Sequence, residues 1–167
     1  GMQMDAEDFL TKPVELTALI PRVRALLDWS TKKIRVLIVD DHTVVRDGIR
    51  SVLTLQRDMQ VIGEAINGKE ALEKTRELMP DVVVMDIVMP VMNGLDAARE
   101  ICQKCKPTKV LMLTQYDDEE NVMASRQVGA VGFIPKAAAS SQLLTGIRSV
   151  ARGDQSWIES LQPRSQV

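Results

Sequence analysis

From residue 33 onward, short apolar runs alternate with amphipathic stretches. Residues 34–40 (IRVLIVD), 81–86 (DVVVMD) and 109–114 (KVLMLT) are dominated by β-branched and aliphatic residues and end on a polar one. That is the pattern of strands buried on both faces. Residues 59–65 (MQVIGEA) and 131–135 (VGFIP) read as two more short strands. Helical spacing predicts helices over 42–56, 68–78, 94–104, 118–129 and 140–153. In the first, Val44, Val45, Ile49, Val52, Leu53 and Leu55 recur near helical spacing. Gly129 suits a left-handed helix end, and Ser140 or Ser141 is expected to cap the last helix. Five strands alternating with five helices predict an α/β fold, a doubly wound parallel sheet covered on both faces. Such sheets bind ligands at the carboxyl ends of their strands, where the strand order reverses.

The composition leaves this picture in place. Of the 167 residues, 45% are hydrophobic and 26% charged, as in ordinary globular chains. The net charge of −2 argues against a surface built mainly for nucleic acid. No apolar run approaches the ~20 residues of a membrane helix, and the polar, acidic start has no leader pattern. No membrane contact and a cytoplasmic location are therefore expected. Gly1 ahead of Met2 reads as an expression remnant. Cys102 and Cys105 stand in C-x-x-C spacing, but no second pair follows and His42 is the only histidine. They read as two helix residues. Met85, Met89, Met92 and Met112 read as core and loop packing.

The strand ends hold the chemistry. Asp40 and Asp41 end the first strand, Asp86 the third and Thr114 the fourth, and Lys136 follows the fifth. Taken singly, each is ordinary; an Asp pair after a strand often only starts a helix. Three carboxylates on one edge repel one another and call for a cation. All-oxygen ligation suits a hard ion, and Mg²⁺ is content with one or two carboxylates, waters and phosphate oxygens. Asp86 ends the central run and should sit deepest, where a carboxylate can act as nucleophile toward phosphorus. Lys136 supplies positive charge, and the Thr114 hydroxyl can donate to a phosphoryl oxygen.

Residues 33–153 resemble the receiver domain of a two-component response regulator. The stretches that carry the resemblance are VLIVDDH, DVVVMDIVMPVMNG, VLMLTQY and GAVGFIPKA. The start DDHTVVRDGIRSVL and the finish GAVGFIPKAAASSQLLTGIRSVARGDQSW are similar to the NarL/FixJ subfamily. The resemblance implies a flavodoxin-like (βα)5 fold with strand order 2-1-3-4-5. It implies Asp86 as phosphoacceptor, with Asp40 and Asp41 as the acidic pair and Asp41 the more direct metal ligand. Val88 would give its backbone carbonyl to the metal. Thr114 matches the switch hydroxyl, Lys136 the phosphate-sensing lysine and Phe133 the switch aromatic. Phe133 stands where many receivers have Tyr, and Ala137 stands where many have Pro after the lysine. The implied partner is a histidine kinase, and the implied response is a repacking of the fourth and fifth helices and the strand between them, with Phe133 turning inward. Transcription control is expected through a helix-turn-helix that this chain lacks.

Residues 5–28 match the end of that same pattern. With an offset that aligns Lys12 with Lys136, Phe9 meets Phe133, Leu19 meets Leu143 and Arg24 meets Arg148. The expected organisation is thus 1–31, the closing strand and helix of an upstream receiver; 32–153, a receiver domain; and 154–167, the start of a linker. Pro21 should kink or delay the upstream helix. Its apolar face (Leu16, Leu19, Ile20, Val23, Leu26, Leu27) is expected to pack in an oligomer contact, so a homodimer is expected. Two rival functions remain at this point. A haloacid-dehalogenase-type phosphatase needs a second Asp two residues after its nucleophile, where this chain has Val88. A phosphorylation-independent receiver-like interaction module needs none of the filled site positions. The chain is not expected to be an enzyme beyond its own phosphorylation and dephosphorylation.

Overall fold

A computed structural model describes residues 32–115 and 118–154, with the backbone of 158–159. The upstream segment, with Phe9, Lys12 and Pro21, and its oligomer contact lie outside the described residues. In chain order the elements are β1 (Ile34–Val39), α1 (Thr43–Thr54), β2 (Met59–Ala65), α2 (Gly68–Leu78) and β3 (Val82–Met85). They continue with α3 (Gly94–Lys104), β4 (Lys109–Thr114), α4 (Glu119–Gln127), β5 (Gly132–Pro135), a 3-10 turn at Lys136–Ala138, α5 (Ala139–Ala151) and β6 (Ile158–Glu159). The sheet order is β2-β1-β3-β4-β5-β6, and every neighbouring pair is parallel. The five main strands thus take the expected flavodoxin-like order, and two-residue β6 adds an edge within the stretch expected as linker.

Alternation along the strands sorts the core into two layers, because successive side chains point to opposite faces. Leu37, Val39, Val83, Met85, Val110 and Met112 join Ala97, Ile101 and Phe133 on one face. Val36, Ile38, Val84, Leu111, Leu113 and Ile134 meet Ile49, Leu53, Leu143 and Ile147 on the other. Burying a chain the size of Leu53 stabilises the fold by about 1.5–3 kcal/mol. In α1 the buried face is Ile49 and Leu53, one turn apart. Val44 and Leu55, apolar in the pattern, fall off that face and stay more than four-fifths exposed.

The helix ends follow local chemistry. Asn67, Asn93 and Asp118 cap α2, α3 and α4 by accepting from the amides of Glu70, Asp96 and Asn121. Gly129 closes α4 at φ 101°, and the amides of Gly129 and Ala130 return to the carbonyls of Arg126 and Ser125. That paired return needs a left-handed residue, as the sequence indicates. The cap expected at Ser140 or Ser141 is not formed. The chain is already wound from Lys136 through the 3-10 turn, so α5 starts at Ala139 behind Ala138, which offers no side-chain cap. Ser141 falls inside the first turn and its hydroxyl donates back to the Ala138 carbonyl at 3.2 Å.

Candidate functional site

The register of the central strands brings the strand ends to one level. Val39 pairs with Met85, and Met85 with Met112. One residue further on, Asp86 donates its amide to the Val39 carbonyl at 3.0 Å, and Asp40 donates its amide to Ala65 at 3.1 Å. Both acids therefore leave the sheet side by side, Asp40 2% and Asp86 4% exposed. Thr114 ends β4 fully buried, and Lys136 follows β5 directly.

Lys136 joins the acids. Its Nζ lies 2.8 Å from Asp40 Oδ2 and 3.2 Å from Asp86 Oδ2. The other Asp86 oxygen, Oδ1, accepts the Ile87 amide at 2.8 Å. The other Asp40 oxygen accepts the His42 amide at 2.8 Å. Asp41 is placed differently: its Oδ1 is buried yet accepts no hydrogen bond. His42 Nδ1 is 3.2 Å away, close enough for charge contact, but the pair lacks hydrogen-bond geometry. Val88 sits in the loop after Asp86, half exposed.

The electrostatics follow from this crowding. Burial pushes the Asp86 carboxyl above its ordinary value; Lys136 pulls it back, and the Asp40 charge pushes it up again. Burial alone would lower Lys136, but its hydrogen bond to Asp40 and the charges of Asp86 and Asp40 outweigh that and raise it. So burial prevails at Asp86 and charge prevails at Lys136. Three carboxylates against one ammonium leave an excess of negative charge.

A group bound more tightly to its proton in the folded state destabilises the fold once ionised. The Asp86 contribution is favourable at low pH and is lost as pH rises through its raised folded value. Asp86→Asn should therefore stabilise the metal-free domain by on the order of 1 kcal/mol near neutral pH. The gain should shrink as pH falls toward the ordinary carboxylate range of about 4. Urea unfolding in chelator at a series of pH values checks this, and an equal gain at every pH would contradict it.

The donors fit a divalent cation. Among the described residues, Asp40, Asp41, His42 and Asp86 offer ligand atoms within 4.8 Å of one another. The unsatisfied Asp41 oxygen is what such an ion would complete. Carboxylates and a backbone carbonyl are hard donors that suit an ion of the Mg²⁺ type.

The sequence reading missed Arg46. One turn into α1, its guanidinium donates to the Asp40 carbonyl at 2.7 Å and to Glu64 of β2 at 2.9 Å. It holds the loop that carries the acid pair. Spacing along α1 would hint at the first contact, but only the fold supplies Glu64. Phe133, expected to turn inward on switching, is already fully buried within the sheet core. Cys102 and Cys105 are free thiols at the end of α3, and burial pushes the Cys102 thiol up, away from reactivity.

Comparison with known proteins agrees with the geometry. A family model described as the response regulator receiver domain matches residues 36–148. The transcriptional regulatory protein LiaR of Bacillus subtilis is 37% identical over 121 residues, which are 72% of this chain and 57% of that protein. The oxygen regulatory protein NreC of Staphylococcus carnosus is 43% identical, over 72% of this chain and 56% of that one. The chain thus spans a little over half the length of these curated relatives. Among solved structures, the signal receiver domain of the putative response regulator NarL of Mycobacterium tuberculosis is similar at a TM-score of 0.70 and 34% identity. That match covers 73% of this chain and 98% of the other. The response regulator domain of Thermotoga maritima CheB matches at a TM-score of 0.68 and 36% identity, over 72% of this chain and 98% of that one. Among the described residues, no helix is long and apolar enough to cross a membrane.

Proposed function

The chain belongs to the response regulator receiver domain family, and from that premise we propose that it is a phosphoacceptor that takes a phosphoryl group on Asp86. The observation that carries this reading is the buried Asp86 carboxylate, flanked by Asp40 and met by the Lys136 ammonium at one strand edge.

Phosphoryl transfer asks mainly for positioning and neutralisation of charge. The donor is a phosphohistidine on a sensor histidine kinase. An Asp86 oxygen forms the O–P bond as the N–P bond breaks, and the leaving imidazole takes up a proton. The Ile87 amide holds one Asp86 oxygen, which fixes the carboxylate plane. Lys136, with three donor hydrogens, can stay on Asp40 while it turns from Asp86 toward a phosphoryl oxygen. Thr114 at the end of β4 brings a hydroxyl to the same edge. Asp40, Asp41, Asp86 and the Val88 carbonyl would hold Mg²⁺, which when bound supplies charge neutralisation at the incoming phosphoryl group.

The added phosphoryl biases an existing equilibrium through its differential contacts. The surface of α4, β5 and α5 is where Lys136 and Thr114 would pass that bias on. Phe133 is already inside, so here the change would lie in the repacking around its ring. The output is transcription control, exerted through a helix-turn-helix in the remaining length of a LiaR-like protein and through homodimer formation. No turnover of a separate substrate is part of this reading.

Incubation with acetyl phosphate and Mg²⁺, followed by intact mass, tests it. The expected result is a gain of one phosphoryl group that disappears in Asp86→Asn. No gain, or one that survives the substitution, would refute the reading and favour a phosphorylation-independent interaction module.

A further inference from the structure

Arg46 is the fourth residue of α1, and no acid lies in the first turn of that helix to balance it. A cation so close to a helix N-terminus works against the helix dipole, so helix formation alone does not call for it. Its contacts do. Nη1 donates to the Asp40 carbonyl at 2.7 Å, Nε to Glu64 Oε1 at 2.9 Å and Nη2 to Thr43 Oγ1 at 3.3 Å. The Arg46 side chain is only 12% exposed. Glu64 is held in turn from its other oxygen, which meets Arg50 Nη2 at 2.6 Å.

The Asp40 carbonyl belongs to the peptide that joins the two acids. The backbone around it is held at three more points. The Asp40 amide donates to the Ala65 carbonyl at 3.1 Å, the His42 amide to Asp40 Oδ1 at 2.8 Å and the Arg46 amide to the His42 carbonyl at 3.1 Å. Glu64 immediately precedes Ala65, so the guanidinium and the Asp40 amide fasten the acid loop to the same end of β2. Within this clamp Asp41 keeps a buried Oδ1 without a hydrogen bond. Such an oxygen costs free energy, and an unrestrained backbone would turn until it met water or a donor. A loop clamped in place bears that cost before an ion arrives, which is preorganisation.

We propose that Arg46, seated by Glu64, is a positioning residue for the acid pair and thereby sets the Mg²⁺ affinity of the pocket. The inference rests on reading the pocket as a Mg²⁺ site and adds a residue that lies outside the ligand set. The side-chain hydrogen bonds of Arg46 go to the acid loop, to Thr43 and to β2, and none goes to Asp86. Its loss should therefore weaken ion binding and leave the rate of phosphoryl uptake at saturating ion nearly unchanged. Geometry matters here as well as charge. The rigid guanidinium presents Nε and Nη1 to two acceptors at once, which an ammonium on a flexible stem does not reproduce.

The test titrates Mg²⁺ into the whole 167-residue chain and follows its amide signals by NMR. Arg46→Gln and Arg46→Lys should each weaken Mg²⁺ by about tenfold. Uptake from acetyl phosphate at saturating Mg²⁺ should stay within about twofold of the wild type, so the loss appears in half-saturation and not in rate. A role through charge alone predicts the opposite sign: removing a cation beside the pocket in Arg46→Gln would tighten Mg²⁺, and Arg46→Lys would change nothing. Either result would overturn the proposal. So would a lowered urea midpoint with unchanged Mg²⁺ affinity, which would make Arg46 a stabilising residue only. Arg46→Lys keeps the charge and carries the test if Arg46→Gln does not fold. Glu64→Gln should weaken Mg²⁺ in the wild type but by less than about twofold in an Arg46→Gln background. Equal losses in the two backgrounds would contradict the coupling on which the proposal rests. Weaker Mg²⁺ binding in Arg46→Lys, in a chain that takes up no phosphoryl group, would support this inference while refuting the function above.

Discussion

Gly94→Ala is expected to destabilise the domain by about 3 kcal/mol or more, among the largest single-residue effects. Gly94 opens α3, and its amide donates to the Ile87 carbonyl at 2.7 Å. A Cβ there would lie 1.9 Å from the Asp86 carbonyl oxygen and 2.8 Å from its carbonyl carbon. These are backbone atoms, so no side chain can rotate away. Relief requires moving either the start of α3 or the end of β3. Ala97, Ala98 and Ile101 lock α3 into the core, so the strain falls on Asp86. Urea unfolding should show the loss of stability, and the fraction still folded should take up phosphoryl more slowly. Gly48→Ala is the control: nothing lies within 4 Å of a Cβ at that mid-helix position. It should stabilise the domain by about 0.5–1 kcal/mol, the ordinary preference for Ala over Gly in a helix. Equal effects at the two positions would contradict the steric account.

Lys136→Met is expected to cost about 3 kcal/mol in metal-free buffer. It removes the ammonium shared by two almost fully buried carboxylates. Breaking one side of a buried ion pair leaves charge without compensation, which costs more than the pair itself contributes. The expense should fall when Asp86 is also neutral, so Lys136→Met in an Asp86→Asn background should lose less. It should fall again in saturating Mg²⁺, because a divalent ion replaces the missing positive charge and binds only the folded state. A double-mutant cycle by urea unfolding, with and without Mg²⁺, measures both. Strict additivity would mean that Lys136 and Asp86 do not share their charge energetics, against the 3.2 Å contact.

Much of this was legible along the chain. The strand and helix periods came through because burial on two faces imposes them residue by residue, and all five main strands formed at or within one residue of the apolar runs. The residues that end the strands were legible for the same reason: a polar side chain after a fully apolar run must lie at the sheet edge. The serine cap of α5 was misread because the signal for a helix start is local, whereas the 3-10 turn Lys136–Ala138 follows β5 directly and leads the chain into α5 ahead of both serines. Val44 and Leu55 share the helical spacing yet stay exposed, because hydrophobicity alone does not fix where a helix's apolar arc ends. The upstream segment lies outside the described residues.

The sequence by itself determined the alternation of strands and helices, the acids, hydroxyl and lysine at the strand ends, and the glycine that ends α4. These follow from local rules of side-chain direction and backbone freedom. Only the tertiary structure decided that Lys136 bridges Asp40 and Asp86, that Asp41 keeps a buried oxygen without a hydrogen bond, and that Arg46 ties the acid loop to Glu64. Lys136 and Asp86 are 50 residues apart, and Arg46 and Glu64 are 18 apart. Which atoms meet over such spans depends on strand register and helix packing, which no local pattern encodes.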